Sequence, residues 1–540
     1  MKKLHRFLIN ALLLSAVAVF MKTVSVVFQV YIANRVGAEA LGLYGLFSGI
    51  YGFAITFATS GIHLASTRLT AEALGHHEQN PFDVRRGMRR CLFYGFCFGS
   101  VASIGLYLLT PVLANALLDE PRVISSLRIL SFALLPIALS SAMNGYFTAC
   151  RRVYKNAVTQ IFEQMIRIVV TVWLLSAFLH DHDPTHACVV LVIGSTVSEI
   201  ASFSLSALFY IFDRKRYSKG HSGTNGRDLT KKLCGIAIPV ALSSYIRSGL
   251  VTLEHALIPK GLRKSGSSRA QALESYGILN SMVFPIIFFP SAIIGAFSGL
   301  LIPELAECRA RDNRREIAYI AGRVYSLSLW FSIGTAAILC CFSEELGAVI
   351  YDNLQAAQYI RLLAPLIPIM YIDTTTDAML KGLGEQVYTM IINIADALIS
   401  VILVWLLLPQ MGIEGYIVTI YIAEIFNTVC SIVRLLNVSK MKVRVIKWVF
   451  KPLLCAVGAT TVVYLLIKVS PISICDPTGK LCLHIGLSAL IYLFLLFGIH
   501  AIEAEEIQWL KKLLGSRYSE KYGADKIKVP PHRTGVGELR

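Results

Sequence analysis

Long apolar stretches separated by short polar connections dominate the pattern along the chain. Fourteen of them are long enough to cross a bilayer, because about 20 apolar residues in a helix span its hydrocarbon core. Strand-type alternation is absent, and the stretches are too long for barrel strands. The sequence therefore predicts an all-α polytopic membrane protein with about 14 transmembrane helices. The predicted helices cover residues 8–33, 41–66, 91–117, 127–149, 156–179, 187–212, 233–258, 275–303, 318–342, 362–385, 389–409, 413–436, 447–468 and 481–502.

A weak internal repeat relates the two sides of a basic connection. Tyr44-Gly45-Leu46 recurs 232 positions later as Tyr276-Gly277-Ile278, and Leu135-Pro136-Ile137 recurs at the same offset as Ile367-Pro368-Ile369. Six helices per repeat is an even number, so both copies enter the membrane with the same orientation. We expect two pseudo-symmetric six-helix lobes around a central cavity. The predicted divisions are an N-terminal lobe (1–212), a basic cytoplasmic linker (213–232), a C-terminal lobe (233–437), a helix pair (438–503) and a cytoplasmic tail (504–540).

Composition agrees with a membrane protein. Of 540 residues, 55% are hydrophobic and 16% are charged, whereas soluble domains average about 45–50% apolar and about 25% charged. The net charge of +17 reflects basic cytoplasmic loops rather than a nucleic-acid partner. The Lys/Arg distribution favours both termini in the cytoplasm. Lys and Arg are expected on the cytoplasmic side, but one predicted outer connection carries Lys260, Arg263, Lys264 and Arg269. Either this loop has a function or a helix assignment there is wrong.

Three cations inside the predicted helices are candidates for substrate binding, since a charge within a membrane helix costs about 3 kcal/mol and usually faces a cavity. Lys22 has no carboxylate at helical spacing in its own helix. Arg68 ends the second helix, where snorkelling to the surface is the alternative. Arg247 has Glu254 seven residues on, so internal neutralisation is its alternative. Together these cations would suit an anionic substrate.

Acidic residues recur in the same helices. Glu163 stands four residues before Arg167, at ion-pair spacing. Glu163 and Asp396 occupy similar places in the two repeats, as do Glu199 and Glu424. Either proton or sodium coupling, which needs a carboxylate in the cavity, or a structural pairing would explain them. The candidate coupling or structural carboxylates are Glu163, Glu254, Asp373, Asp377 and Asp396, and the last turns of the tenth helix align Asp373, Asp377 and Lys381 on one face.

Motifs of enzymatic chemistry are missing from the sequence. It contains no Walker A, HExxH, GxSxG or CxxC pattern. We therefore predict no enzyme, no catalytic residue, no metal ligand and no cofactor, with coupling to Na⁺ or H⁺ left open. Cys475 and Cys482 flank a predicted outer loop, and whether they pair is also left open.

Two stretches resemble the stage V sporulation protein B family, in the polysaccharide-exporter branch of the multidrug/oligosaccharidyl-lipid/polysaccharide transporter superfamily. They are Ser60-Gly61-Ile62-His63-Leu64-Ala65-Ser66-Thr67-Arg68-Leu69 and the segment from Tyr276-Gly277-Ile278-Leu279-Asn280 through Phe289-Pro290 to Leu301-Ile302-Pro303-Glu304. The resemblance implies a monomeric flippase in the bacterial plasma membrane. Its cargo would be a polyprenyl-pyrophosphate-linked saccharide, a peptidoglycan precursor or another envelope oligosaccharide, moved to the outer leaflet by alternating access.

The resemblance also bears on the cations, because related murein flippases use cavity arginines in helices one, two and eight. Lys22 and Arg68 lie in helices one and two, whereas Arg247, the nearest match in the second lobe, lies in helix seven. The alternative function is a cation-coupled multidrug exporter, which should have an acidic or aromatic cavity. A membrane glycosyltransferase would bring a large catalytic loop, and the sequence has no room for one.

Overall fold

The computed structural model describes residues 2–75, 82–178, 183–214, 226–469, 477–499 and 501. All regular structure in these ranges is helical, which confirms the predicted fold class. The helices are α1 (Lys2–Val36), α2 (Ala38–Thr59), α3 (Ile62–Gly75), α4 (Phe82–Val112), α5 (Ile124–Ala149), α6 (Val153–Phe178), α7 (Pro184–Arg214), α8 (Gly226–Lys264), α9 (Arg269–Gly277), α10 (Phe284–Phe288), α11 (Ser291–Ala310), α12 (Arg314–Cys341), α13 (Ser343–Tyr351), α14 (Leu354–Leu363), α15 (Ile367–Gly382), α16 (Gln386–Met411), α17 (Ile413–Ser439), α18 (Lys451–Val469) and α19 (Pro477–Gly498). Three π-helical stretches (Leu113–Leu118, Ile278–Val283 and Ile446–Phe450) and two 3₁₀ turns (Pro121–Val123 and Ala364–Leu366) join some of them.

Eleven helical segments in the described ranges are long and apolar enough to cross a membrane, so the chain is a multi-span membrane protein. The other three predicted spans coincide with α1, with the series α9 to α11, and with α14 followed by α15. Prolines interrupt both of these series, Pro290 between α10 and α11 and Pro365 within a 3₁₀ turn, because proline lacks the N–H that a helix interior needs. The number of fourteen spans stays a prediction.

The second predicted span is broken into α2 and α3. Ser60 (φ 43°) and Gly61 (φ 69°) adopt left-handed backbone conformations that end α2. A Cβ atom at Gly61 would lie 2.7 Å from the carbonyl oxygen of Ala237 in α8. Both its backbone angle and the closeness of α8 therefore require glycine at position 61. Arg68 consequently lies on α3, beyond the break.

The two copies of the repeat contact each other directly where α2 packs against α9. A Cβ atom at Gly42 would lie 1.9 Å from the carbonyl oxygen of Leu273, and one at Gly277 would lie 2.1 Å from that of Ala38. Only glycine permits so close an approach of the two backbones. The largest hydrophobic core continues across this contact through residues such as Leu46 and Tyr276.

The predicted lobes coincide with much of the close helix packing. α4, α5 and α7 pack together in residues 1–212, hereafter the first half, and α8, α16 and α17 do so in residues 233–437, the second half. The halves meet where α2 contacts α8 and α9 and where α1 contacts α11. Residues 215–225 of the predicted linker, Cys475 and the predicted tail lie outside the described residues. The domain division stays a prediction.

Candidate functional site

The three predicted substrate-binding cations lie on three different helices, and all are exposed: Lys22 on α1, Arg68 on α3 and Arg247 on α8. Within the described ranges, no hydrogen bond or ion pair joins them to each other or to a carboxylate. The structure therefore does not bring them into direct contact. Arg247 is not paired with Glu254, so the neutralisation considered for this arginine is not formed.

A series of hydroxyl groups bridges α2 and α8 beside Arg247. The Thr252 hydroxyl donates to the carbonyl oxygen of Gly49 at 2.9 Å, and the Thr56 hydroxyl donates to Ser248 at 3.3 Å. Nearer the break after α2, the Tyr245 hydroxyl donates to Ser60 at 2.7 Å. These residues lie in apolar spans of the sequence, where no motif points to them. Their spacing of three, four and seven positions along α8 is the helical signal that could have found them.

In the first half, one arginine donates hydrogen bonds to two carboxylates. Arg167 donates from Nη2 to Glu163 at 2.7 Å and to Glu199 of α7 at 3.4 Å. Its Nε also donates to the Ser198 hydroxyl at 3.3 Å. The expected pairing of Arg167 with Glu163 is therefore formed, and the tertiary structure adds Glu199 to it. Arg167 is therefore fully paired, with one cation for two carboxylates.

In the second half, carboxylates from four helices converge. Asp373 of α15, Asp396 of α16 and Glu424 of α17 are close enough to interact electrostatically, and so are Asp396 and Glu254 of α8. Arg247 lies within Coulombic reach of Asp373 and Asp396 without a direct bond to either. The carboxylates are scattered along the sequence from position 254 to position 424. The structure thus gathers most of the predicted carboxylates into one cluster around Asp373 and Asp396, the second-half acidic cluster.

Polar neighbours contact only some of the carboxylate oxygens in this cluster. Asn427 donates to Asp373 at 3.3 Å, while Lys381 and Asn393 contact Asp377 at 3.4 Å and 3.5 Å. The Oδ1 atoms of Asp373, Asp377 and Asp396 are buried and have no hydrogen-bond partner among the described residues. Ionised carboxylates within a membrane are costly unless protons or cations neutralise them. The described residues contain no group of three His, Cys, Asp or Glu side chains arranged to hold a metal ion.

Comparison with known proteins places the fold and the family. A family model described as "Polysaccharide biosynthesis protein" matches residues 7–308, and the MatE model matches residues 265–406. Stage V sporulation protein B of Bacillus subtilis (strain 168) is 26% identical over 425 residues, covering 76% of this chain and 79% of that protein. Lipid II flippase MurJ of the same organism is 22% identical over 433 residues, covering 73% of this chain and 76% of that protein.

A solved structure of lipid II flippase MurJ in an inward closed conformation shares the fold. It superposes with a TM-score of 0.68 at 14% identity, covering 89% of this chain and 98% of that one. Lipid II flippase MurJ is a flippase and not an enzyme. Since the first family model covers more than half of the chain, the protein belongs to the polysaccharide biosynthesis protein family and is a flippase or transporter of the multidrug/oligosaccharidyl-lipid/polysaccharide superfamily.

Proposed function

We propose that the protein flips a polyprenyl-pyrophosphate-linked saccharide from the inner to the outer leaflet of the bacterial plasma membrane. The observation that carries this proposal is the state of the cations Lys22, Arg68 and Arg247. All three lie on helices that the sequence predicts to be in the membrane, and all are exposed and lack a bonded carboxylate in the described ranges. Arg167, by contrast, is neutralised by Glu163 and Glu199. Cations left unpaired in a membrane protein are available to an anionic cargo.

A pyrophosphate headgroup fits these cations chemically. The guanidinium group of arginine offers a fork of donors that matches phosphate oxygens, and the ammonium group of Lys22 acts as a point charge. The hydroxyl groups of Tyr245 and Ser248, which are only partly buried, lie on the same helix as Arg247 and are suited to sugar hydroxyls. The polyprenyl tail needs an opening towards the lipid bilayer, and we expect the helices after residue 438 to line it. The similarity to lipid II flippase MurJ supports this cargo class.

Translocation of a fluorescent polyprenyl-pyrophosphate-sugar between the leaflets of proteoliposomes tests the proposal. We expect Lys22→Ala and Arg247→Ala to lower the initial rate at least tenfold, because each removes a charge from the anion site. Arg128→Ala is the matched control, since Arg128 lies over the Tyr107 ring and has no proposed role in binding. That variant should retain the rate of the unaltered protein.

Absence of translocation by folded, unaltered protein would contradict the flippase. Equal rates in all three variants would contradict the role of Lys22 and Arg247 in binding the cargo. Retention of the native elution profile and thermal unfolding curve by each variant separates loss of binding from loss of fold.

The multidrug exporter is the second candidate, and the second-half acidic cluster favours it. The MatE model matches residues 265–406, which include Asp373, Asp377 and Asp396. Carboxylates without full neutralisation suit organic cations as well as coupling ions. Efflux of ethidium from vesicles under a sodium or proton gradient, abolished by Asp396→Asn, together with no lipid translocation, would establish this function instead.

A further inference from the structure

The basic connection after α8, which contradicts the expected charge distribution, is explained by contacts with the first half. Arg263 Nη1 lies 2.8 Å from Asp119 Oδ2, and Arg269 Nε donates to Glu120 Oε2 at 2.8 Å. Arg269 also donates to the carbonyl oxygen of Asp119. Lys260 donates to the carbonyl oxygen of Ala116 at 3.2 Å. Three of the four cations on this predicted outer connection therefore contact one short segment of the first half.

The backbone of that segment presents its acids to α8 and α9. A π-helix ends at Leu118, and Asp119 then adopts a left-handed conformation with φ 53°. This turn directs consecutive acidic residues, Asp119 and Glu120, towards the second half, and a 3₁₀ turn begins directly after them at Pro121. The hydrogen bond from Arg263 lowers the pKa of Asp119 below its usual value. Asp119 is therefore ionised at neutral pH.

Glu120 is the buried centre of the network, with only 2% of its surface exposed. Arg122 donates from Nε and Nη2 to the two carboxylate oxygens at 2.7 Å and 3.2 Å, and Arg269 approaches from α9. Arg122 also contacts Glu39 at the start of α2 at 3.1 Å. A buried carboxylate is costly without such partners. Loss of Arg269 from Glu120 would thus weaken the contact between the halves without leaving Glu120 unpaired.

The same end of the molecule contains the close glycine contact between α2 and α9. Leu46 and Leu118 pack beside the ion pairs, together with Pro259 and Leu273 of the second half. Separation of the halves at this end must break both the backbone contact and the ion pairs. Both features belong to one closed state, since neither can persist if the halves move apart there.

We infer that Asp119 and Glu120 with Arg263 and Arg269 form a latch that closes this end of the cavity expected between the halves and opens in each transport cycle. By the predicted orientation this is the outer end. The inference rests on the alternating access of the proposed function, but it concerns which residues hold one gate shut. It gives the basic outer connection a function, so that no helix assignment there has to be changed.

The test measures access to a cysteine placed inside the latch. Thr252→Cys puts a thiol of nearly the same size where α8 meets Gly49 of α2, a position that is 9% exposed. The background is a chain whose native cysteines are replaced by serine or alanine and which keeps the native thermal unfolding profile. A membrane-impermeant thiol reagent is applied to the outer or the inner face separately. No substrate is present, so failure of the proposed transport leaves this measurement valid.

We expect Arg269→Glu to raise the labelling rate from the outer face about tenfold, because it turns an attraction to buried Glu120 into a repulsion. Arg263→Ala should raise it about two- to threefold, since Asp119 is largely exposed and such pairs are weak. Labelling from the inner face should fall as the outer end opens. The double variant Asp119→Arg with Arg263→Asp should return towards the parent rate, because it restores the pair in reverse.

Arg361→Ala is the matched control. Arg361 and Glu344 form an ion pair of 3.5 Å on α14 and α13, so this pair lies wholly in the second half. An equal rise in this control would overturn the latch, as would unchanged labelling in both single variants. A rise from both faces at once would also overturn it, because that result indicates loosening of the fold and not opening of one gate.

Discussion

The two halves place carboxylates at equivalent positions but balance their charge differently. Glu163 on α6 and Asp396 on α16 are 233 positions apart, and four residues after each stand Arg167 and Ser400 respectively. Residues four apart are neighbours on a helix surface. Arg167 therefore neutralises Glu163 and reaches Glu199, whereas the serine brings no cation to Asp396.

This difference separates carboxylates that are bonded to an arginine from carboxylates that have no bonded arginine. The first-half carboxylates share a bonded arginine. In the second half, Asp373, Asp377 and Asp396 each have a buried oxygen without a hydrogen-bond partner among the described residues. Arg247 interacts with Asp373 and Asp396 only at a distance. We therefore propose that coupling to Na⁺ or H⁺, if transport uses it, takes place in the second half. Uptake of a proton or cation there would offset charge that the protein itself leaves unbalanced.

Removal of Arg167 should have the largest effect on stability. Arg167→Leu leaves Glu163 and Glu199 without their shared cation, and we expect a loss of about 2–3 kcal/mol in unfolding free energy, below the buried-pair range because the arginine is partly exposed. Thermal unfolding in detergent measures it. The triple variant that adds Glu163→Gln and Glu199→Gln should recover most of the loss. A single variant as stable as the parent would show that the first half does not depend on this neutralisation.

Asp396→Asn should have the next largest effect, and it should act on transport. We expect gradient-driven transport to fall at least tenfold, equivalent to about 1.4 kcal/mol, with a change in unfolding free energy of less than about 1 kcal/mol. The comparison is with Glu163→Gln at the equivalent position of the first half, which should keep its response to the gradient. Equal losses of gradient dependence in the two variants would remove the functional distinction between the halves.

Asn427→Ala tests whether the second-half acidic cluster is also held in place by its amide neighbours. The variant removes the hydrogen bond to Asp373, for which we expect a cost of about 1 kcal/mol in unfolding free energy. The dependence of transport on ion concentration should shift as well, because Asp373 loses its orientation. If stability falls while the ion dependence stays the same, Asn427 has a structural role only.

The smallest effect concerns ion pairs at similar places in the two halves, with the acidic and basic partners exchanged between the helices. Asp213 at the end of α7 contacts Lys155 at 3.1 Å and also Arg152, whereas Arg434 on α17 contacts Glu385 at 2.6 Å. Glu385→Gln should cost about 0.5 kcal/mol, because Arg434 is exposed by more than a third. Asp213→Asn should cost more, since Asp213 is almost fully buried. Thermal unfolding of both variants decides the order, and a larger loss for Glu385→Gln would contradict it.

Local spacing accounts for what could be predicted at the candidate site. Arg167 and Glu163 pair because helical geometry brings residues four apart together, and Asp377 pairs with Lys381 for the same reason. The neutralisation of Arg247 by Glu254 does not form, because residues seven apart share a face but are two turns distant.

The sequence by itself determined the helical membrane fold, since apolar length and backbone hydrogen bonding in lipid leave no other choice. It also determined the local pairs and the family resemblance. Only the tertiary structure decided which distant helices meet. It placed Glu254, Asp396 and Glu424 in one cluster and joined Glu120 to Arg269, which lie 149 positions apart. Such contacts depend on how helices pack and cross, and no periodicity within a single helix records them.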